Sequence, residues 1–328
     1  MYKFGIVGCG MIASIHADAI KKIDNAVLYA VADNNKESAK AFAQKENVIA
    51  YESFEKMLND KEIDVVCICT PSCFHAQNAI DAMKKGKHVV VEKPMAFNKA
   101  DAKRVLSVSK KTGKMVTVVS QLRFTEDVKK LKSFVEQGAF GKITLCSLNM
   151  KYYRSKEYYA SSPWKGKKKF DGGGALMNQG IHGIDLMQYI MGGVKEVKGK
   201  IRTLCHKIEV EDTAVAIVEF NCGALGVVQA SSCAYPGFER RIEIHGETGY
   251  AVLKEGTIEK LMIDKKEVPL NNEYVASGSA SDPTAMDSDL HAEQIKNLIG
   301  AISGKEKLLV DCVEGAKAVE IIEKIYKQ

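Results

Sequence analysis

Apolar and polar positions alternate along this chain with two different rhythms, and the change comes near residue 120. Before it, apolar runs at 3–7, 27–32, 64–69, 88–91 and 115–119 have strand length. The stretches near 11–23, 36–45, 53–59, 73–85 and 99–112 carry apolar residues at helical spacing. Strands that alternate with helices predict a parallel sheet covered on both faces, with ligands at the carboxyl ends of its strands. After residue 120, one helical stretch from Thr125 to Gln137 precedes runs of strand alternation at 142–150, 197–205, 213–220, 224–232, 240–245 and 249–253. Turn residues such as Asn221-Cys222-Gly223 and Gly246-Glu247-Thr248-Gly249 join close neighbours, which predicts a mostly antiparallel sheet with helices on one face. Residues 271–289 read as a polar loop, and helical patterns at 289–303 and 312–327 close the chain. The expected fold is α/β followed by α+β: a doubly wound domain over 1–122 and an open-faced sheet domain over 123–328.

Candidate chemistry lies at the predicted strand ends. The first strand runs into Gly8-Cys9-Gly10-Met11-Ile12-Ala13. Two glycines let the backbone turn sharply and approach a ligand, and the helix that follows points unpaired N–H groups and its positive end at the same spot. A pyrophosphate fits there, and with Ala13 in the third small position the string matches the dinucleotide fingerprint. The run 27–32 ends in Asp33, twenty positions after Ala13, where a carboxylate accepts hydrogen bonds from the adenosine ribose. It would repel a 2′-phosphate, and Asn34-Asn35 supplies no arginine to bind one, so NAD is favoured over NADP. The alternative for Asp33 is a cap on the next helix.

Two further strand ends open onto the same crevice. The run 64–69 ends in Thr70-Pro71-Ser72, with His75 one turn into the following helix, placed to face the cofactor or to pack. The run 88–91 ends in Glu92-Lys93-Pro94. A lysine there can donate to a substrate oxygen and, partly desolvated, assist proton transfer, and the proline after it is a place for a cis bond.

The second informative stretch runs from Asp171-Gly172-Gly173-Gly174 to Tyr189. The glycines permit close backbone approach just before a helix, on which Asn178, His182, Asp185 and Tyr189 share one face. Such a polar stripe suggests a lined cleft. Histidine is the side chain there whose unperturbed pKa lies near neutrality, which makes His182 the natural general base for a substrate hydroxyl.

Bulk properties exclude several classes. Apolar residues at 46% and charged ones at 27% are ordinary for a globular protein, and a net charge of +6 is too mild to call for a nucleic-acid partner. Nine cysteines without a Cys-x-x-Cys pair look like buried thiols of a reducing cytoplasm, not a disulfide frame or a metal site. The chain opens directly on its first strand and has no apolar run near eighteen residues, so neither a signal peptide nor a membrane span is expected.

Taken together, these motifs resemble the Gfo/Idh/MocA family of NAD(P)-dependent oxidoreductases, which includes glucose-fructose oxidoreductase and inositol dehydrogenase. The resemblance covers nearly the whole length: Gly-x-Gly-x-x-Ala at Gly8, Cys69-Thr70-Pro71 with His75, Gly86-Lys87-His88 leading to Glu92-Lys93-Pro94, and Gly172-Gly173-Gly174 through His182 to Asp185. It implies a Rossmann domain followed by an open-faced sheet domain. It also implies that His182 is the acid/base, while Lys93 polarises the oxygen and contacts cofactor and substrate. The cofactor surface so implied comprises Gly8, Gly10, Met11, Ile12, Asp33, Asn34, Thr70, Pro71, Ser72, His75, Glu92, Lys93 and Gln121. Arg123 and Tyr153 would line the substrate side. Many relatives carry an aspartate where this chain has Asn178, and an amide orients by hydrogen bonding but cannot relay a proton.

Substrate identity is the least specified. The loop before the glycines holds Tyr158, Tyr159, Trp164 and Lys165, aromatic faces that suit a sugar ring and lysines that could meet an anionic group. The expected substrate is a sugar or cyclitol oxidised at a secondary hydroxyl. The alternatives are a nucleotide-diphosphate sugar and a non-catalytic NAD-binding sensor. The family also leads us to expect a homo-oligomer, a dimer or tetramer, built on the open sheet.

Overall fold

The computed structural model describes residues 1–270 and 288–327. The chain divides into two compact units, Met1–Gln121 with Asp287–Ala316 and Leu122–Met286 with Lys317–Gln328.

In the first unit the order is β1 (Tyr2–Val7), α1 (Met11–Lys21), β2 (Ala26–Ala32), α2 (Lys36–Glu46), β3 (Ile49–Tyr51) and α3 (Phe54–Leu58). β4 (Val65–Ile68), α4 (His75–Lys84), β5 (His88–Val91), α5 (Lys99–Thr112) and β6 (Val116–Val118) follow. The strands are all parallel, in the order β3-β2-β1-β4-β5-β6. Strand order reverses between β1 and β4, the place where doubly wound sheets bind ligands. β4 is buried throughout and β5 nearly so, which is why both read as unbroken apolar runs. Helix starts are set locally: the Asn35 side chain accepts from Glu37 N and Ser38 N, and Asn98 accepts from Asp101 N. β3 escaped the sequence reading because three residues, two of them exposed, give too little periodicity.

The second unit contains α6 (Glu126–Glu136), β7 (Ile143–Lys151), α7 (Lys156–Ala160), α8 (Lys168–Asp171), a π-helical turn (Ala175–Gln179) and α9 (Ile181–Ile190). Seven strands follow: β8 (Val194–Arg202), β9 (Thr213–Phe220), β10 (Leu225–Ser231), β11 (Arg241–Gly246), β12 (Tyr250–Lys254), β13 (Thr257–Ile263) and β14 (Lys266–Glu267). They form one sheet with β7, in the order β14-β13-β12-β11-β7-β10-β9-β8. Every pair is antiparallel except β10 on β7, which is parallel. In β9, Ala214, Ala216, Val218 and Phe220 are buried in the core while Val215 and Ile217 are 50% and 65% exposed. Leu145 and Leu225 are also exposed, so the outer face of this sheet is apolar in part. β13 and β14 extend the sheet beyond the strands expected from the sequence.

Two helices remain, α10 (Asp289–Ile302) and α11 (Cys312–Tyr326). Ala292, Ile295, Leu298 and Ile299 of α10 join Ala13, Ala17 and Ile20 of α1 in one core. Gln294 donates to Val118 O and Thr117 Oγ1 and accepts from Ser120 N. The sequence division put all of 123–328 in one domain, whereas α10 packs in the first unit because its apolar face is built for α1. From Ala318 onward α11 contributes to the core of the second unit. The predicted loop over 271–289 lies outside the described residues as far as 287. No described helix is long and apolar enough to cross a membrane.

Candidate active site

The first unit assembles its candidate residues at strand ends. Gly8 follows β1 with φ +91°, and a Cβ there would meet the Cys69 carbonyl oxygen at 2.6 Å, so only glycine fits. Gly10 precedes α1 without a side-chain cap, and a Cβ built on it meets nothing within 4 Å among the described residues. Ala13 N donates to Gly10 O, which leaves Met11 N and Ile12 N as the first-turn groups available to a ligand. Met11 is exposed and Ile12 half-buried beside this opening. Asp33, at the end of β2, accepts from Cys9 N and Asn35 N, both at 2.8 Å. It thereby pins the fingerprint loop, while Asn35 takes the capping role and Asn34 stays exposed.

Beyond β4 and β5 two expected cofactor contacts turn inward. His75 is buried, with Nδ1 2.8 Å from Pro94 O and Nε2 2.7 Å from Thr70 O. Its ring ties the two loops together and offers no nitrogen to a cofactor; burial lowers its pKa against the pull of the two carbonyls. Glu92 is buried as well. Its Oε1 lies 2.8 Å from His16 Nε2 on α1 and 3.9 Å from His291 Nε2 on α10, and its Oε2 accepts from Lys93 N at 3.3 Å. Burial opposes ionisation of Glu92, yet the hydrogen bond and charge of His16 outweigh it and lower the pKa to about 2. Burial likewise opposes the charged form of His16, but contacts with Cys69, Cys67 and Glu92 raise its pKa well above the usual value. Burial holds the Cys69 thiol up at about 11, so at neutral pH the carboxylate is the charged partner of His16. Lys93 itself is half-buried, joined to Pro94 by a cis bond. Thr70 and Ser72 are half-buried, Pro71 exposed and Gln121 half-buried.

In the second unit the glycine run meets protein, not open space. A Cβ on Gly173 would lie 2.0 Å from Tyr326 Oη, and one on Gly174 would lie 1.9 Å from Glu211 O. The Glu211 carboxylate accepts from Gly174 N, Leu176 N and Tyr326 Oη at 2.8–2.9 Å, fastening the π-helical turn. Asn178 sits on that turn, and α9 begins directly after Gly180, whose backbone is itself helical. His182 is half-buried in the first turn of α9.

Arg123 is the clearest correction. Its side chain is 0% exposed and donates through Nε and Nη2 to both oxygens of Asp185, at 2.8 and 2.6 Å. The guanidinium also stacks 4.3 Å from the Tyr189 ring centroid. Arg123, Asp185 and Tyr189 thus form an internal brace, and none of the Arg123 surface is offered to a substrate. The aromatic loop is better placed. Lys165 lies 4.1 Å from the Tyr158 ring centroid and 5.9 Å from Trp164, which is half-open to solvent, and it donates to Ser161 Oγ. Tyr153 pairs with Cys233 in a β-bridge and stacks edge-on against Tyr235. Arg154, which the sequence reading passed over, joins these pieces: Nε donates to Gln179 Oε1 on the π-helical turn, Nη1 donates to Tyr153 O, and the charge faces Tyr158. The triplet Tyr152-Tyr153-Arg154 was its visible signal; Glu211 had none nearby.

Residues 2–120 match the oxidoreductase family with an NAD-binding Rossmann fold, and residues 128–252 match the GFO/IDH/MocA C-terminal domain. The myo-inositol 2-dehydrogenase of Thermotoga maritima is 32% identical over 255 residues, 75% of this chain and 73% of that one. The chain belongs to the Gfo/Idh/MocA oxidoreductases. D-glucoside 3-dehydrogenase of Escherichia coli is 24% identical across 99% of this chain and 94% of its own length. The WlbA dehydrogenase of Bordetella pertussis, solved with NADH and UDP-GlcNAcA, superposes at a TM-score of 0.88 with 30% identity, covering 99% of this chain and 95% of that one.

Two features of this Gfo/Idh/MocA member fit a dinucleotide. One is the open space at Gly10, which any side chain would begin to fill. The other is Gln121 Oε1, buried with no hydrogen-bond partner among the described residues, as an acceptor kept for a ligand would be.

Gly10→Ala should leave the unfolding midpoint unchanged, since its extended backbone accepts Ala and no atom lies nearby, yet weaken NAD binding by about tenfold or more, read by titration. The buried pair predicts an acid-side dependence. With a folded pKa of about 2 against 4.5 unfolded, Glu92 contributes stability that is present above pH 4.5 and lost as the pH falls towards 2. His16 acts in the opposite sense: its contribution is full below its usual value of 6.5 and is lost as the pH rises through the raised folded pKa. Urea midpoints measured between pH 4.5 and 2 should fall more steeply in the native protein than in Glu92→Gln, which itself starts roughly 3–5 kcal/mol less stable.

Proposed function

We propose that the protein is an NAD-dependent dehydrogenase that oxidises one secondary hydroxyl of a sugar or cyclitol. The observation that carries the reading is the family match across both units in a chain that keeps Lys93 after β5 and His182 in the first turn of α9. A sensor needs the dinucleotide cradle but neither of these side chains.

Gly8, Gly10, the first turn of α1, Asp33 and Gln121 would hold NAD, which supplies the hydride acceptor. The negative charge of Asp33 and the lack of a neighbouring arginine favour NAD over NADP. His182 takes the hydroxyl proton through its imidazole, and Lys93 stabilises the developing alkoxide with its ammonium group. Asn178 orients the substrate by hydrogen bonding, because an amide has no proton to relay. Tyr153, Trp164 and Lys165 supply the substrate wall.

A nucleotide-diphosphate sugar is the second reading. It is favoured by two cations, Arg154 and Lys165, that converge on the Tyr158 ring, and by the likeness to a dehydrogenase solved with UDP-GlcNAcA. Burial and the Arg154 charge lower the Lys165 pKa against the pull of Asp171, a state an anionic substrate would relieve.

His182→Ala should lower turnover by roughly 10²–10⁴ and leave NAD affinity intact, measured by NADH absorbance over a panel of inositols, aldoses and nucleotide-diphosphate sugars. Full rate in that variant would remove His182 from the mechanism. We further propose that the apolar outer face of the second sheet pairs with another copy of this chain. Light scattering should then give a multiple of 36.0 kDa, and Ile217→Arg should return the particle toward 36.0 kDa.

A further inference from the structure

We propose that Cys205 and Cys233 form a reversible dithiol–disulfide site. The sequence reading treated all nine cysteines as one buried set, and the structure separates them. Cys67, Cys69, Cys146 and Cys312 are buried, whereas Cys205 is exposed and Cys233 half-buried. The Cys205 and Cys233 sulfurs and a carboxylate oxygen of Asp212 all lie within 4.8 Å of one another.

This meeting is imposed by the backbone on both sides. Cys205 lies between β8 and β9, in a segment gathered by one carboxylate. Asp212 Oδ1 accepts from Leu204 N at 2.8 Å, and Oδ2 accepts from Cys205 N at 2.8 Å and His206 N at 3.0 Å. Thr213 Oγ1 donates to Oδ1, and the His206 ring, whose Nδ1 lies 3.2 Å from Oδ2, spans to Arg154 O through Nε2. Cys233 follows β10, bridged to Tyr153, with its N–H donating to Ser231 Oγ at 3.1 Å. Each thiol is therefore carried on a segment held by hydrogen bonds, with the two sulfurs within 4.8 Å of one another.

The same donor set could be taken for a metal site. Both Asp212 oxygens are already occupied by protein donors, which leaves two sulfurs where a structural zinc needs four ligands. One exposed and one half-buried thiol within 4.8 Å of one another suit thiol–disulfide exchange.

The step balances with a small-molecule disulfide as oxidant. One cysteine thiolate attacks a sulfur of oxidised glutathione, forming a mixed disulfide and releasing one glutathione thiolate. The second cysteine thiolate attacks the mixed bond, forms the Cys205–Cys233 disulfide and releases the other. Two electrons pass to the reagent, and the two thiol protons end on the two released thiols. The hydrogen bond to Cys233 raises the Cys205 pKa, which slows attack by the Cys205 thiol at neutral pH. Closing the bond ties the Cys205 segment to the end of β10, beside the Tyr153–Arg154 strand end.

The test uses the full chain incubated with oxidised glutathione at mildly alkaline pH, then alkylated, digested and read by mass spectrometry. The expected result is an intrachain link between the Cys205 and Cys233 peptides, a whole-chain loss of two hydrogens, and full reversal by dithiothreitol. Cys205→Ser, at an exposed position, and Cys233→Ser should each abolish the link, and the native disulfide form should unfold at a higher temperature than the reduced form. A mixed glutathione adduct that persists at Cys205, or a link between two chains, overturns the proposal. So does retention of one zinc per chain after incubation with zinc alone, lost in Cys205→Ser, because the pair would then be a metal site.

Discussion

A carboxylate buried at the end of β5 cannot remain ionised without a partner, and in this protein the partner comes from the dinucleotide helix. The His16–Glu92 pair joins α1 to the residue immediately before Lys93. It therefore ties the helix that follows the fingerprint loop to the loop that carries Lys93. The buried His75 ring does the same service one loop over, lying between Thr70 O and Pro94 O and donating to one of them in its neutral form. Both histidines are spent on holding strand ends in place, and neither is left for catalysis.

The second unit reaches a comparable rigidity by different means. Its glycines allow the backbone at Gly174 to lie against Glu211, whose carboxylate collects two backbone N–H groups and a tyrosine hydroxyl. That contact fixes the π-helical turn and so decides where α9 begins. The Arg123–Asp185 brace then holds α9 from its middle. His182 stands in the first turn between these two supports.

What could be read in the sequence was what the chain decides locally. The fingerprint at Gly8, the buried strands and the placement of Lys93 and His182 all follow from residues a few positions apart. The inward turn of Glu92 does not, because His16 lies 76 positions away. Nor does the brace between Arg123 and Asp185, 62 apart, nor the anchoring of Leu176 by Glu211, 35 apart. A motif can say that a charged residue matters, but only the fold says which neighbour it faces. Arg123 was misassigned for that reason.

The return of α10 to the first unit bears on how the protein is made. β6 is held from the far end of the chain, by Gln294 at Thr117 and Val118 and by a hydrogen bond from Thr117 Oγ1 to Val310 O. During synthesis the first unit therefore waits with part of its core uncovered until the second sheet has been translated, and the second unit in turn takes its share of α11, from Ala318 on, after α10. The ribosome and the chaperones near it see this protein as two interleaved folding problems rather than as two in succession.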